Sequence, residues 1–175
     1  MQNNYFDKII KKIVEPTLKA LKKKNKHYTG FLYVGLMIKN DEPYLIEYNV
    51  RMGDPECQVI IPRLKTDLLK IINRVVLNQL DKINIQWKNT NCMTIVLCSK
   101  GYPVRYEKNK IINNLYSINV EKKSFIYHAG TKFFEGNLVS NGGRVLNIVS
   151  VGKNFKKIRK NIIKILKKIN WKDGF

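Results

Sequence analysis

A carboxylate, a carboxamide and a guanidinium stand at alternate positions of one short segment: Glu47, Asn49 and Arg51 within Leu45-Ile46-Glu47-Tyr48-Asn49-Val50-Arg51. Side chains alternate across a β-strand, so a strand here projects Glu47 and Asn49 from one face, with Arg51 following as the strand opens. Two hard oxygen donors suit Mg²⁺ or Mn²⁺, which takes one or two carboxylates and completes its shell with waters and nucleotide phosphates. A guanidinium beside them would hold a phosphoryl oxygen through two N–H groups, or stabilise charge as such a group transfers. Spacing alone leaves the bland alternative open, because a Glu and an Asn two residues apart are also ordinary exposed residues at a strand end.

The elements that must position these residues follow from hydrophobic periodicity. Residues 7–23 read as an amphipathic helix, with Ile9, Ile10, Ile13, Val14, Leu18 and Leu21 at spacings of three and four, and with Pro16 kinking it or marking a turn. Phe31 to Ile38 is apolar on both faces and predicts a central buried strand. Lys39 to Pro43 is a turn, and Tyr44 to Tyr48 returns as the antiparallel partner. Asn49 to Glu56, with its charges, Gly53 and Pro55, is then a loop at the carboxyl end of that strand, a place where function often sits. Helical spacing returns over 67–80, with Thr66 as its N-cap. Polar residues 81–91 break the pattern, so a boundary is expected near residue 86. Beyond it, 92–98, 125–127, 137–140 and 143–151 read as short strands, and a helix carrying Phe155, Ile158, Ile162, Ile165, Leu166 and Ile169 on one stripe closes the sequence. The fold class expected is α/β (α+β).

Composition narrows the function classes. The 175 residues are 44% hydrophobic and 26% charged, with ten glycines and five prolines, which is globular and argues against disorder. The length allows one ordinary domain or two small ones. The longest apolar run is far shorter than the roughly 20 residues that cross a bilayer, and the first residues lack the features of a secretory signal, so a soluble, cytoplasmic protein with no membrane partner is expected. Cys57, Cys92 and Cys98 have no spacing of a disulfide framework or zinc site. Net charge is +20, yet only six of the 33 basic residues are arginines, the residue on which phosphate and base recognition leans. Lys, Ile and Asn all have A/T-rich codons. Base composition therefore explains the charge better than a nucleic-acid partner does.

Several strings together resemble one enzyme family. They are Tyr28-Thr29-Gly30-Phe31-Leu32-Tyr33-Val34-Gly35-Leu36-Met37-Ile38, Ile46-Glu47-Tyr48-Asn49-Val50-Arg51-Met52-Gly53-Asp54-Pro55-Glu56-Cys57-Gln58 and Pro62-Arg63-Leu64-Lys65-Thr66-Asp67-Leu68. Further on come Gly101-Tyr102-Pro103, Tyr106-Glu107-Lys108, His128-Ala129-Gly130-Thr131 and Ser140-Asn141-Gly142-Gly143-Arg144-Val145-Leu146. In this order they resemble the carboxyl-terminal portion of the phosphoribosylamine-glycine ligase family (glycinamide ribonucleotide synthetases), which are ATP-grasp enzymes of purine biosynthesis. The resemblance covers nearly the whole chain. It implies that residues 1–86 are the carboxyl-terminal part of an ATP-grasp catalytic domain, with antiparallel sheet and packed helices, and that 87–175 are a small mixed β/α carboxyl-terminal domain.

The resemblance also implies roles. Glu47 and Asn49 take metal-ligand positions bridging ATP phosphates, with Mg²⁺ or Mn²⁺ as the ion, and Arg51 meets the transferred phosphoryl group. Glycine, activated as glycyl phosphate, would be joined to 5-phosphoribosylamine. Asp54 would attract an ammonium group such as that of glycine, or else be a turn-forming residue before Pro55. His128 would lie near the phosphoribosylamine site, or else be a hydrogen-bonded turn histidine. Arg144 would hold a phosphate or pair with a carboxylate. No Walker A or G-x-G-x-x-G string occurs. The family's amino-terminal domain and ATP-covering lid have no counterpart in these residues, so a chain inactive without the missing amino-terminal half is expected. The reading from a different class is an inactive remnant or basic binding module that keeps part of the fold.

Overall fold

The computed structural model describes residues 3–175 and the side chains from Tyr5 onward. It divides into two compact units, one of Met1–Gly53 with Leu68–Asn84 and one of Asp54–Asp67 with Ile85–Phe175. The units change over after Gly53, after Asp67 and after Asn84, so segment 54–67 groups with the residues from Ile85 onward.

In the first unit, helix α1 (Asn3–Ile9) and helix α2 (Glu15–Lys23) are joined by a π-helical segment, Ile10–Val14. The widened segment has a local cause. Pro16 has no N–H to give to the preceding turn, and its ring crowds that turn's carbonyls. The N–H of Glu15 reaches back to Ile10 O, five residues away, and Thr17 Oγ1 donates to Ile13 O at 2.8 Å. The expected kink at Pro16 thus takes the form of a π-bulge.

Strands β1 (Tyr33–Lys39) and β2 (Glu42–Asn49) form an antiparallel hairpin. Asn40 and Asp41 both have positive φ, the conformation that two-residue hairpin turns require. Helix α1 and the π-segment anchor this turn from the side: the Tyr5 hydroxyl bonds Asp41, and Lys8 and Lys12 both pair with Glu42. These ammonium groups hold the Glu42 carboxyl below its ordinary range. Strand β1 was expected to be buried on both faces, yet Met37 and Ile38 are exposed. The reason is topological, since among the described residues the sheet in this unit has two strands. Residues 67–80 were expected to be helical. The α-helix there, α4 (Leu68–Val76), is shorter and is followed by a 3₁₀ turn at Leu80–Lys82. The helix starts at Leu68, two residues beyond Thr66, the residue expected as its cap, and the Thr66 hydroxyl accepts the N–H of Gln86 at 2.7 Å.

The second unit begins with a short helix, α3 (Cys57–Ile60), which sequence periodicity did not reveal. Its main sheet is antiparallel in the order β3 (Asn91–Cys98), β7 (Arg144–Gly152), β4 (Ser124–His128), and β5 (Thr131–Phe134) with β6 (Asn137–Ser140) make a separate hairpin. Helix α5 (Phe155–Leu166) is capped by the Asn154 side chain, which accepts the N–H of Lys157 at 3.2 Å. Ile158, Ile162 and Ile165 of α5 are buried in one cluster with Val145, Leu146 and Ile148 of the central strand, and Met93, Ile95 and Leu97 of β3 pack against it. Strand β7 is central because both its edges are paired, and its residues 145–150 are all buried. The last residues are tied back as well: Phe175 and Cys98 exchange both backbone bonds, and Lys100 N–H donates to Asp173 O. No helix among the described residues is long and apolar enough to cross a membrane.

Candidate functional site

Two groups of side chains, one in each unit, hold the residues singled out by the sequence. The first lies at the end of β2. Glu47 pairs with Gly35 and Asn49 with Tyr33 across the hairpin, and Ile46 is the extra residue of a bulge between the Gly35–Glu47 and Leu36–Leu45 pairs. Glu47 and Asn49 share a face of the hairpin and touch: Asn49 Nδ2 donates to Glu47 Oε1 at 2.9 Å. The opposite face carries Tyr48, whose hydroxyl lies 2.5 Å from Thr17 Oγ1, so that face is fixed by helix α2 while Glu47 is exposed. Arg51 is exposed just beyond the strand and donates from Nη1 to the Met52 carbonyl at 2.8 Å.

This donor set fits a hard divalent ion. One carboxylate and one carboxamide stand adjacent on an open face, with a cationic side chain two residues on. Among the described residues no group of three or more His, Cys, Asp or Glu could enclose a metal by itself. Two protein oxygens leave the rest of an octahedral shell to water and phosphate, the arrangement in which Mg²⁺ accompanies nucleotides.

The second group is built around Asp54. Its carboxylate accepts from Gln58 Nε2 at 2.7 Å, one turn along α3, and lies 3.3 Å from Arg144 Nη2. Arg144 Nη1 also donates to the Asp54 carbonyl at 2.7 Å. Both terminal nitrogens of Arg144, at the start of β7, therefore bind one residue, fixing its main chain and side chain together. Nearby backbone is packed closely enough to require glycine. A Cβ on Gly130 would lie 2.7 Å from both Gly142 Cα and Arg144 O, and one on Gly143 would enter the ring of Tyr102. Ser99 Oγ donates to Gly142 O at 2.8 Å, and Asn141 N–H donates to Gly130 O at 2.7 Å. The strings containing Tyr102, Gly130 and Gly142-Gly143-Arg144 thus meet in one place.

His128 ends β4, exposed, with Nδ1 2.9 Å from Thr131 Oγ1 across the Ala129-Gly130 turn. Tyr116 stacks on it, 6.4 Å between ring centroids. Burial pushes the thiols of Cys57, Cys92 and Cys98 up, helped at Cys57 by the Asp54 charge.

The structure therefore brings together Glu47 with Asn49, and Asp54 with Arg144. Sequence reasoning passed over Gln58 and Thr131 as partners and Gly35 as the neighbour of Glu47. All three lie in the strings quoted above. Their roles depend on contacts across a turn of helix, a tight turn and a hairpin.

Comparison with known proteins is consistent along the chain. Residues 1–57 match the family model described as phosphoribosylglycinamide synthetase, ATP-grasp (A) domain, and residues 92–175 match phosphoribosylglycinamide synthetase, C domain. The phosphoribosylamine–glycine ligase of Agrobacterium fabrum is 41% identical over 169 residues, 97% of this chain and 40% of that protein. The chloroplastic phosphoribosylamine–glycine ligase of Arabidopsis thaliana is 39% identical over 173 residues, 97% of this chain and 32% of the relative. The crystal structure of phosphoribosylamine–glycine ligase from Thermotoga maritima aligns with a TM-score of 0.77 and 31% identity, over 96% of this chain and 42% of that one. The chain spans about two-fifths of the length of the first curated relatives it matches.

Proposed function

This chain belongs to the phosphoribosylglycinamide synthetase family, and from that premise we propose that it acts as the carboxyl-terminal portion of a phosphoribosylamine–glycine ligase. The observation that carries the reading is the Glu47–Asn49 pair on the open face of β2. In the proposed reaction the glycine carboxylate attacks the γ-phosphorus of ATP and ADP leaves, giving glycyl phosphate. The amine of 5-phosphoribosylamine then attacks the acyl carbon, phosphate leaves, and the amide of glycinamide ribonucleotide is formed.

Glu47 and Asn49 would hold Mg²⁺ or Mn²⁺, an ion that neutralises phosphate charge and polarises the phosphoryl oxygens when bound. Arg51 spends one donor on Met52 and keeps its other N–H groups for the transferred phosphoryl group, whose charge grows as the bond to ADP breaks. A carboxylate has about four lone-pair sites. Asp54 uses two of its own on Gln58 and Arg144, leaving capacity for an ammonium group such as that of glycine. Of the two roles open to Arg144, the geometry supports pairing with a carboxylate. For His128 the bond to Thr131 supports the fixing of a turn.

The exposed apolar side chains of the first unit support a further part of the reading. Met37 and Tyr44 on the hairpin, and Leu69 and Val76 on α4, are each more than half exposed. We propose that the amino-terminal portion of the ligase covers them, supplying the ATP lid and remaining substrate walls, in the cytoplasm. A basic binding module has less support. Lys8, Lys12, Lys110 and Lys164 are paired with carboxylates, and the sequence matches run through the residues of the site.

The test is a chimera in which this chain replaces the matching two-fifths of the Agrobacterium fabrum ligase. Turnover of glycine, 5-phosphoribosylamine and MgATP to glycinamide ribonucleotide is expected. A folded chimera that binds ATP and forms no amide would contradict the proposal.

A further inference from the structure

We propose that Gly35 of β1 is a positioning residue for Glu47, its bare backbone being the surface on which the Glu47 side chain lies. The proposal rests on the reading of Glu47 and Asn49 as donors to a divalent ion. Gly35 is the cross-strand partner of Glu47, directly beside the bulge at Ile46. Bulges twist a hairpin locally and re-aim the neighbouring side chain. Here the re-aimed chain folds down over the opposite strand: a Cβ built on Gly35 would lie 2.9 Å from Glu47 Cγ, closer than carbon atoms approach, while its next contacts, Glu47 O at 3.5 Å and the Tyr33 ring at 3.6 Å, are ordinary.

The backbone of Gly35 does not require glycine. Its φ is outside the left-handed range, so the residue is set by space and not by conformation. A glycine inside a strand is costly, since it weakens the strand and has no side chain to pack. What it provides at this site is room for one methylene. That methylene is the link between the backbone of Glu47 and the carboxylate that meets Asn49 Nδ2 at 2.9 Å. With a Cβ at position 35, Glu47 must leave its rotamer, and the carboxylate moves away from Asn49. The two donors then no longer share one ion. Gly35 touches no reacting atom and acts only through Glu47.

Two measurements on the full chain test this. The first is a thermal double-mutant cycle. Gly35→Ala is expected to lower Tm in the native background and to leave it unchanged or raise it in the Glu47→Ala background, where the obstructing methylene is gone. Because the cycle compares backgrounds, it remains readable if Gly35→Ala alone unfolds the hairpin: Glu47→Ala should then restore the hairpin's cross-strand Val34–Tyr48 proton contacts. Equal destabilisation in both backgrounds overturns the proposal. The second is titration with Mn²⁺ alone, followed by the electron paramagnetic resonance of free Mn²⁺. Gly35→Ala is expected to weaken binding by about 10–100-fold, the usual effect of losing a group that orients a ligand, with Glu47→Gln weakening it at least as much. If Glu47→Gln binds Mn²⁺ as the unaltered chain does, or if the unaltered chain binds none, the ion reading fails and takes this role with it. If Glu47→Gln weakens binding and Gly35→Ala does not, the ion reading stands and the role of Gly35 is overturned.

Discussion

Glu47→Ala, introduced into the chimeric ligase, is expected to lower kcat by about a thousandfold or more while leaving the melting temperature nearly unchanged. The size follows from what the carboxylate does. Outer partners of metal ligands are worth about 10–100-fold when lost, and single donors to a developing charge about 10²–10³-fold. In the proposed reaction Glu47 serves both ends, holding the ion and so placing the charge that offsets the transferred phosphoryl group. The small effect on stability follows from the surroundings. Glu47 is exposed, and its carboxylate accepts from its neighbour Asn49. Its removal opens no cavity and strands no buried group, the usual sources of large losses. Kinetic assay at saturating MgATP together with calorimetry checks both halves. Unchanged turnover would remove Glu47 from the reaction.

The chain by itself is expected to form no glycinamide ribonucleotide above background, and to gain turnover when the amino-terminal three-fifths of the Agrobacterium fabrum ligase is supplied as a separate polypeptide. Orientation of reactants accounts for about 7–11 kcal/mol of a barrier when groups are held in a near-attack geometry. The hairpin offers one open face with two donors and a guanidinium, and nothing described on that face encloses a nucleotide and two further substrates. Loss of the walls therefore costs nearly all of the rate. Co-purification followed by a turnover assay measures the gain. Glycinamide ribonucleotide formed by the chain alone would contradict the proposed division of the site.

The hairpin, the helical stretch of α1 and α2, helix α5 and the strands β3, β4, β6 and β7 were legible from residue pattern, most clearly where burial enforces a period, as in Ile158, Ile162 and Ile165 of α5. The Glu47–Asn49 juxtaposition was legible for the same reason, since alternation along a strand is a property of the backbone. What the sequence concealed depends on tertiary contacts. Strand β5, Thr131-Lys132-Phe133-Phe134, sets two polar residues before two aromatic ones and so shows no alternation, and α3 is a single turn. Thr66 has the residue type of a helix cap, but the helix starts at Leu68, and the Thr66 hydroxyl meets a distant N–H, that of Gln86. Apolarity on both faces of β1 predicted burial, whereas Met37 and Ile38 are exposed in a sheet of two strands. Arg144 was read as a holder of either a phosphate or a carboxylate. Only the fold, by bringing Asp54 within 3.3 Å of it, favours the second.

The most direct measurement is the paramagnetic effect of Mn²⁺ carried on a non-hydrolysable ATP analogue, read from the amide and side-chain resonances of the ¹⁵N-labelled chain. Broadening centred on Glu47 and Asn49, including the Asn49 side-chain amide, and fading along β1 and β2 with distance is the result predicted. Broadening that spares these residues and centres on another carboxylate, such as Asp173 or Glu107, would contradict the claim that this pair holds the nucleotide's metal ion.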